Sequence, residues 1–254
     1  PEENLKSFSR EAIVAFRERR WAGGQGGAFL VGNVEHLPAE PELQELFGRF
    51  PTLAQPEPYV PAPEFVPQKL VEQRDTNQSH LRMIYRPGVS VSDVKQRAAL
   101  SIYSTLLGGS MGSRLFEEIR EKRGLCYSVY AIAHAFSDVP ILQLGSGLDS
   151  SKCVEAYSRM REIVDELRTD GPTEEEVQRA RAYAAGRLVL AFENTNAVAR
   201  YGASQKIVYH EDIDPDAAIA ALDAVTFNEV VEVASNVADN LAVACVGPHE
   251  QGDF

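Results

Sequence analysis

The sequence predicts an α+β fold: a mixed, mostly antiparallel sheet with helices packed on one face. Three observations predict it. "SHLRMIYRP" (79–87) alternates polar and apolar residues, the period-2 pattern of a strand buried on one side. "CYSVYAIAHAF" (126–136) and "ILQLGSGL" (141–148) follow as two more strands. Capping boxes at "TEEE" (173–176) and "TFNE" (226–229) then open long helical stretches, with "LAVACVG" (241–247) as a last strand.

Each element has a local reason. Ser9 is placed to cap a first helix, with Phe8 and Ile13 at hydrophobic-staple positions. Ile13, Val14 and Phe16 predict one buried stripe, and "WAGGQGG" stops the helix. "AFLVGNV" (28–34) reads as a buried strand and "PELQELFGRF" (41–50) as a second helix. Pro51, Pro56, Pro58, Pro61, Pro63 and Pro67 then exclude a helix and favour an extended crossing, so 51–67 reads as an interdomain linker. Residues 94–107 form a helix closed by Gly108 and Gly109, and 152–167 an amphipathic helix stopped by "DGP". Further helix is expected over about 197–207.

The two ends resemble each other. "SREAIVAFRERRWAGGQGGAFLVGN" parallels "TFNEVVEVASNVADNLAVACVGP": a capped helix, a polar break, a buried strand, a glycine (Gly32, Gly247). The implied organisation is a remnant of a first αβ domain over 1–50, the linker, and a complete second αβ domain over 68–254.

Composition narrows the function. Twenty-five Lys and Arg against 37 Asp and Glu give a net charge of −12, which argues against nucleic-acid and anionic-membrane partners. Cys126, Cys153 and Cys245 form no C-x-x-C. They read as small buried residues in a reducing, cytoplasmic setting. No apolar run is long enough to span a membrane, and no signal-like segment opens the chain. The start at Pro1, with no methionine, points to processing or truncation.

"GGSMGSRLFEEIREKRGLCYSV" (108–129) is the stretch richest in chemistry. It is not a P-loop: Ser113 follows Gly112 where a lysine is needed, and G-x-G-x-x-G is absent. Glu117 and Glu118 in the helix that follows suit the helix dipole and discourage a bound anion. Leu115, Phe116 and Ile119 supply an apolar face, Arg120, Lys122 and Arg123 a cationic last turn, and Gly124 a stop. Arg120 and Tyr127 lie seven residues apart across the corner so formed. A guanidinium and a phenol set together can grip a peptide carbonyl or carboxylate.

"LLGGSMGSRLFEEIREKRGLCYSVYA" resembles the second-domain signature of the inverted-zincin metallopeptidases, the pitrilysin and mitochondrial processing peptidase family. The resemblance extends to "EENLKSFSREAIVAFRERRW", "LVGNVE", "QSHLRMIYRPG", "TEEEVQRARAYAAGRLVL" and "RYGASQKIVYHEDI". It implies the αβ roll of that family and a role in proteolysis. In the family, zinc sits on H-x-x-E-H in the first domain. This chain's His36, His80, His134, His210 and His249 include no two within five residues, so no such helical pair exists. "HED" (210–212) reads as solvated surface.

The resemblance therefore implies no catalytic residue, metal or cofactor in this chain. Zinc is expected in the full-length protein or on a partner. The chain alone is expected to be inactive, a substrate-binding C-terminal domain. A second-domain arginine and tyrosine hold the substrate backbone in active family members, and Arg120 and Tyr127 match them by position. The implied partners are a peptide or unfolded-protein substrate, a zinc-bearing N-terminal domain or subunit, and a second copy in a homodimer. A non-catalytic scaffold subunit and a free peptide-binding module are the alternatives.

Overall fold

The computed structural model describes residues 2–21, 27–48 and 60–254. These form two compact units: one gathers the described residues up to Pro61 with Asn194–Ile213, the other Ala62–Glu193 with Asp214–Phe254.

The smaller unit holds α1 (Glu2–Ser7), α2 (Arg10–Arg20), α3 (Glu40–Phe47) and, from later in the chain, α7 (Thr195–Ala203). Ser9 caps α2 as its sequence predicts, accepting from the Ala12 backbone N–H at 3.1 Å. The stripe behind that cap is not buried. Ile13 and Phe16 are 58 % and 53 % exposed, and no residue of α2 is buried. Residues 28–33 form no strand either, and Leu30 and Val31 are exposed. A strand needs a neighbouring backbone for its N–H and C=O groups. Every described strand lies in the larger unit's sheet, so this segment has no ladder to join. Most of the predicted linker, 51–59, lies outside the described residues. From Val60 to Gln68 the chain has neither helix nor strand.

The larger unit contains β1 (Lys69–Gln73), β2 (Gln78–Pro87), α4 (Val94–Ser104), β3 (Cys126–Ala135), β4 (Pro140–Asp149), α5 (Cys153–Thr169), α6 (Glu174–Phe192), α8 (Pro215–Asp223), α9 (Phe227–Ser235) and β5 (Val237–Gly247). Strand order is β1-β5-β2-β4-β3. Only β1 with β5 is parallel; the other three pairings are antiparallel. The fold is the mixed α+β sheet that the alternating runs predict.

One sheet face is dry. Leu81, Met83 and Tyr85 of β2 and Leu142, Leu144 and Leu148 of β4 pack among Leu100, Ile102 and Tyr103 of α4 and Met160, Ile163 and Leu167 of α5. Both predicted capping boxes form. Thr173 with Glu176 starts α6, and Thr226 with Glu229 starts α9.

The glycines after α4 act differently from their sequence reading. The helix does not stop at Gly108; it widens into a π-helical turn over Thr105–Gly109 and ends at Ser110. A Cβ on Gly108 would sit 2.4 Å from the backbone nitrogen of Ala131 in β3. Gly108 is therefore a contact glycine: its missing side chain lets the helix lie against the strand.

Gly108→Ala is expected to destabilise the fold by about 3 kcal/mol, the upper end of overpacking costs. Gly186→Ala is expected to do the opposite. That position is exposed in α6 with nothing within 4 Å of an added Cβ, so alanine should stabilise by about 0.5–1 kcal/mol. Urea unfolding of both variants checks the pair.

Candidate functional site

The corner between α4 and β3 is built by three devices. The first anchors its start. Ser113 is buried, and both its N–H and hydroxyl donate to the Ser110 carbonyl, at 3.2 and 2.6 Å. Arg114 then reaches Glu176 bidentately, Nε to Oε1 at 2.5 Å and Nη2 to Oε2 at 2.9 Å. Glu176 also closes the α6 capping box by accepting from the Thr173 N–H at 2.8 Å. One carboxylate thus ties the glycine-rich segment to the start of α6. Burial alone would raise this carboxyl, but the Arg114 and Thr173 hydrogen bonds win and hold it at about 2.

The second device turns the chain. The π-helical segment Phe116–Lys122 ends at Gly124, whose φ of +59° is the left-handed conformation that glycine adopts without strain. The Gly124 N–H donates to Arg120 O at 3.1 Å and the Leu125 N–H to Ile119 O at 2.9 Å. Arg120 is exposed, its guanidinium 4.9 Å from the centroid of the Phe116 ring. Burial pushes the Cys126 thiol up, and the Arg120 charge offsets part of that rise.

The third device is a β-bulge. Cys126 pairs with Leu148 and Ser128 with Gly147, so Tyr127 is an extra residue on β3. Bulges re-aim side chains. Tyr127 is 64 % exposed. The structure places both predicted residues at one corner, each open to solvent.

The sheet face away from the helices carries what the sequence reading did not single out. Strand register aligns Ser128, Gly147, His80, Val246 and Glu72 in one row across five strands. Tyr130, Gly145, Arg82, Ala244 and Leu70 form the next. In these rows β4 carries only glycine, and β5 carries Ala244 and Val246, while His80 and Arg82 stand between them on β2. Arg82 lies 5.4 Å from the centroid of the Tyr130 ring. A Cβ on Gly145 would sit 2.4 Å from Tyr130 Cζ, so the ring lies across that glycine. A trough of about 470 Å³ runs beside it, floored by Ala244 and Val246 and walled by Leu70, Glu72, His80 and Arg82. An apolar floor with cationic and anionic walls suits an extended peptide. The alternation in "SHLRMIYRP" placed His80 and Arg82 on one face; only the pairing showed which glycines lie beside them.

The residues present do not fit a catalytic zinc of the His-Glu-His kind. The five histidines sit on separate elements, and His210, the centre of "HED", is an exposed left-handed residue ending a helical turn.

Comparison with known proteins bears on the family and the fold. The family description "Peptidase M16 inactive domain" matches residues 7–183. An uncharacterized zinc protease of Streptomyces coelicolor is 32 % identical over 176 residues, 69 % of this chain and 38 % of that protein. The Bacillus subtilis zinc protease YmxG is 25 % identical over 97 % of this chain and 60 % of its own length. The solved M16 inactive domain of Pseudomonas fluorescens aligns with a TM-score of 0.77 at 19 % identity, over 96 % of this chain and 59 % of that one. The chain thus spans less than two thirds of the relatives it matches.

Because Glu176's carboxyl is depressed in the fold, its contribution is present above its ordinary pKa and lost as pH falls from about 4.5 toward about 2. Acid titration of the unfolding free energy should show this loss, at most about 3 kcal/mol, and Glu176→Gln should flatten it.

The family match over residues 7–183 and the sheet-and-helix fold shared with the solved domain agree: the chain belongs to the M16 peptidase family and carries its inactive, C-terminal domain.

Proposed function

We propose that this chain holds the substrate for an M16 zinc endopeptidase whose metal lies on an N-terminal domain or partner chain. The observation that carries this reading is the corner of Arg120 and Tyr127, where a left-handed glycine and a bulge present an exposed guanidinium and phenol. Two relatives are named zinc proteases, which supports zinc in the whole protein.

Arg120 supplies up to five fixed donors and Tyr127 one hydroxyl donor. Set on rigid elements, they fix a peptide carbonyl in one orientation and stabilise negative charge developing on its oxygen. The trough takes the flanking side chains. The proposed domain layout, a first-domain remnant over 1–50, a linker over 51–67 and a second domain over 68–254, accounts for the front segment. Leu5, Phe8, Ile13, Phe16 and Trp21 are all more than half exposed. An apolar surface of that kind marks an interface. The rest of an N-terminal αβ domain would cover it and pair residues 28–33.

The chain alone should hydrolyse no peptide. Joined to the zinc-bearing domain in the full-length protein, Arg120→Ala and Tyr127→Phe should each lower kcat/KM on the order of 100-fold, with zinc content unchanged. Peptide hydrolysis with metal analysis checks this. Chelator-sensitive cleavage by the chain alone would sink the reading, and so would variants of unchanged activity.

A further inference from the structure

Three soft donors meet on the helix-covered side of the sheet. Cys153 opens α5, Cys245 lies in β5 and His249 follows that strand. All three are buried, and their donor atoms lie within 4.8 Å of one another. The two Sγ atoms are 3.9 Å apart. Tetrahedral zinc with Zn–S of about 2.3 Å places two sulfurs about 3.8 Å apart, so the thiols already have the spacing of a ligand pair.

The surroundings hold the donors in place. A Cβ on Gly247 would sit 2.2 Å from Ser79 Oγ and 3.0 Å from His249 Cδ2, so this glycine makes the room they occupy. Ser79 Oγ lies 2.7 Å from His249 Nε2 and 2.9 Å from Ser150 Oγ. The Asp253 carboxylate stands 3.7 Å from the other ring nitrogen, Nδ1. The same Oδ2 accepts from the Glu250 N–H at 2.9 Å, so the carboxylate is held near the ring without a hydrogen bond to it. The Phe254 ring packs against His249 at 5.7 Å between centroids. Cys153 stands in the first turn of the 17-residue α5.

We propose that Cys153, Cys245 and His249 form a binding site for a thiophilic divalent cation of the zinc class. On binding, each thiol releases one proton, and His249 Nε2 gives up its contact with Ser79 for the metal. Ser79 Oγ or a water takes the fourth position. Two thiolates balance the charge of a divalent ion, so the centre is neutral and burial costs little. The three donors are buried. The site is structural: it staples the start of α5, the end of β5 and the segment that follows. It needs neither the family's catalytic zinc nor the reading of the open face.

Cobalt(II) titration of the reduced, chelator-stripped chain tests this, with metal added to the folded protein and during refolding. One equivalent should bind with a thiolate-to-cobalt absorption band, zinc should displace it, and thermal stability should rise. Cys126→Ser should leave the band intact. Cys153→Ser and Cys245→Ser should each weaken binding at least about 100-fold. An unchanged band in Cys245→Ser overturns the proposal. If the cysteine variants fail to fold, the parent chain still decides. Three free thiols counted after unfolding, with neither band nor thermal shift, mean two packed thiols and no metal site. A Cys153–Cys245 disulfide recovered without metal also overturns it.

Discussion

The close approach of Gly108 to β3 is the contact on which the corner and its chemistry depend. A side chain there would meet the strand's backbone at 2.4 Å, well inside van der Waals contact. With glycine, α4 ends directly over β3, and the chain has a short path to turn back into that same strand. The π-helical widening at Thr105–Gly109 eases the helix onto the sheet. The path is then pinned at both ends, by Arg114 on Glu176 and by the left-handed turn at Gly124. Arg120 and Tyr127 inherit their positions from those pins.

The sheet divides its labour by face. Odd-numbered residues of β2 and β5 and the leucines of β4 go under the helices, where Leu81, Met83, Leu142 and Leu144 are fully buried. The other face carries Ala244 and Val246, which floor the trough, with Gly145 and Gly147 in register beside Arg82 and His80. Cys245 pairs with Leu81 in the helix-facing set, whereas its neighbours Ala244 and Val246 floor the trough. A helix layer closes one side, and nothing in the described unit closes the other.

Much of the larger unit was legible in the sequence because its signals are local. A capping box needs four consecutive residues, and both formed. The period-2 run in β2 needs only alternation, and its burial follows it. Gly124 was legible for the same reason: a helix followed by glycine commonly ends left-handed. The misses are equally physical. Ile13, Val14 and Phe16 have the pattern of a buried stripe, and 28–34 the composition of a strand. Pattern shows what an element could bury, but burial and pairing need a second element to supply the surface. Glycine composition is ambiguous too. Gly108, Gly124 and Gly145 serve a close helix–strand contact, a left-handed turn and a seat for a tyrosine ring, three roles that look alike on the page.

The sequence by itself determined the strands and helices of the larger unit, the caps and the turn at Gly124, because each rests on residues within a few positions of one another. The tertiary structure decided what lies across the strands. It brought Arg82 to Tyr130, seated that ring over Gly145, and set Cys153 beside Cys245 from 92 residues away. The reason is sheet register. Backbone hydrogen bonding sets which residues of distant strands face each other, and one residue of slip, as at Tyr127, changes which side chains share a face.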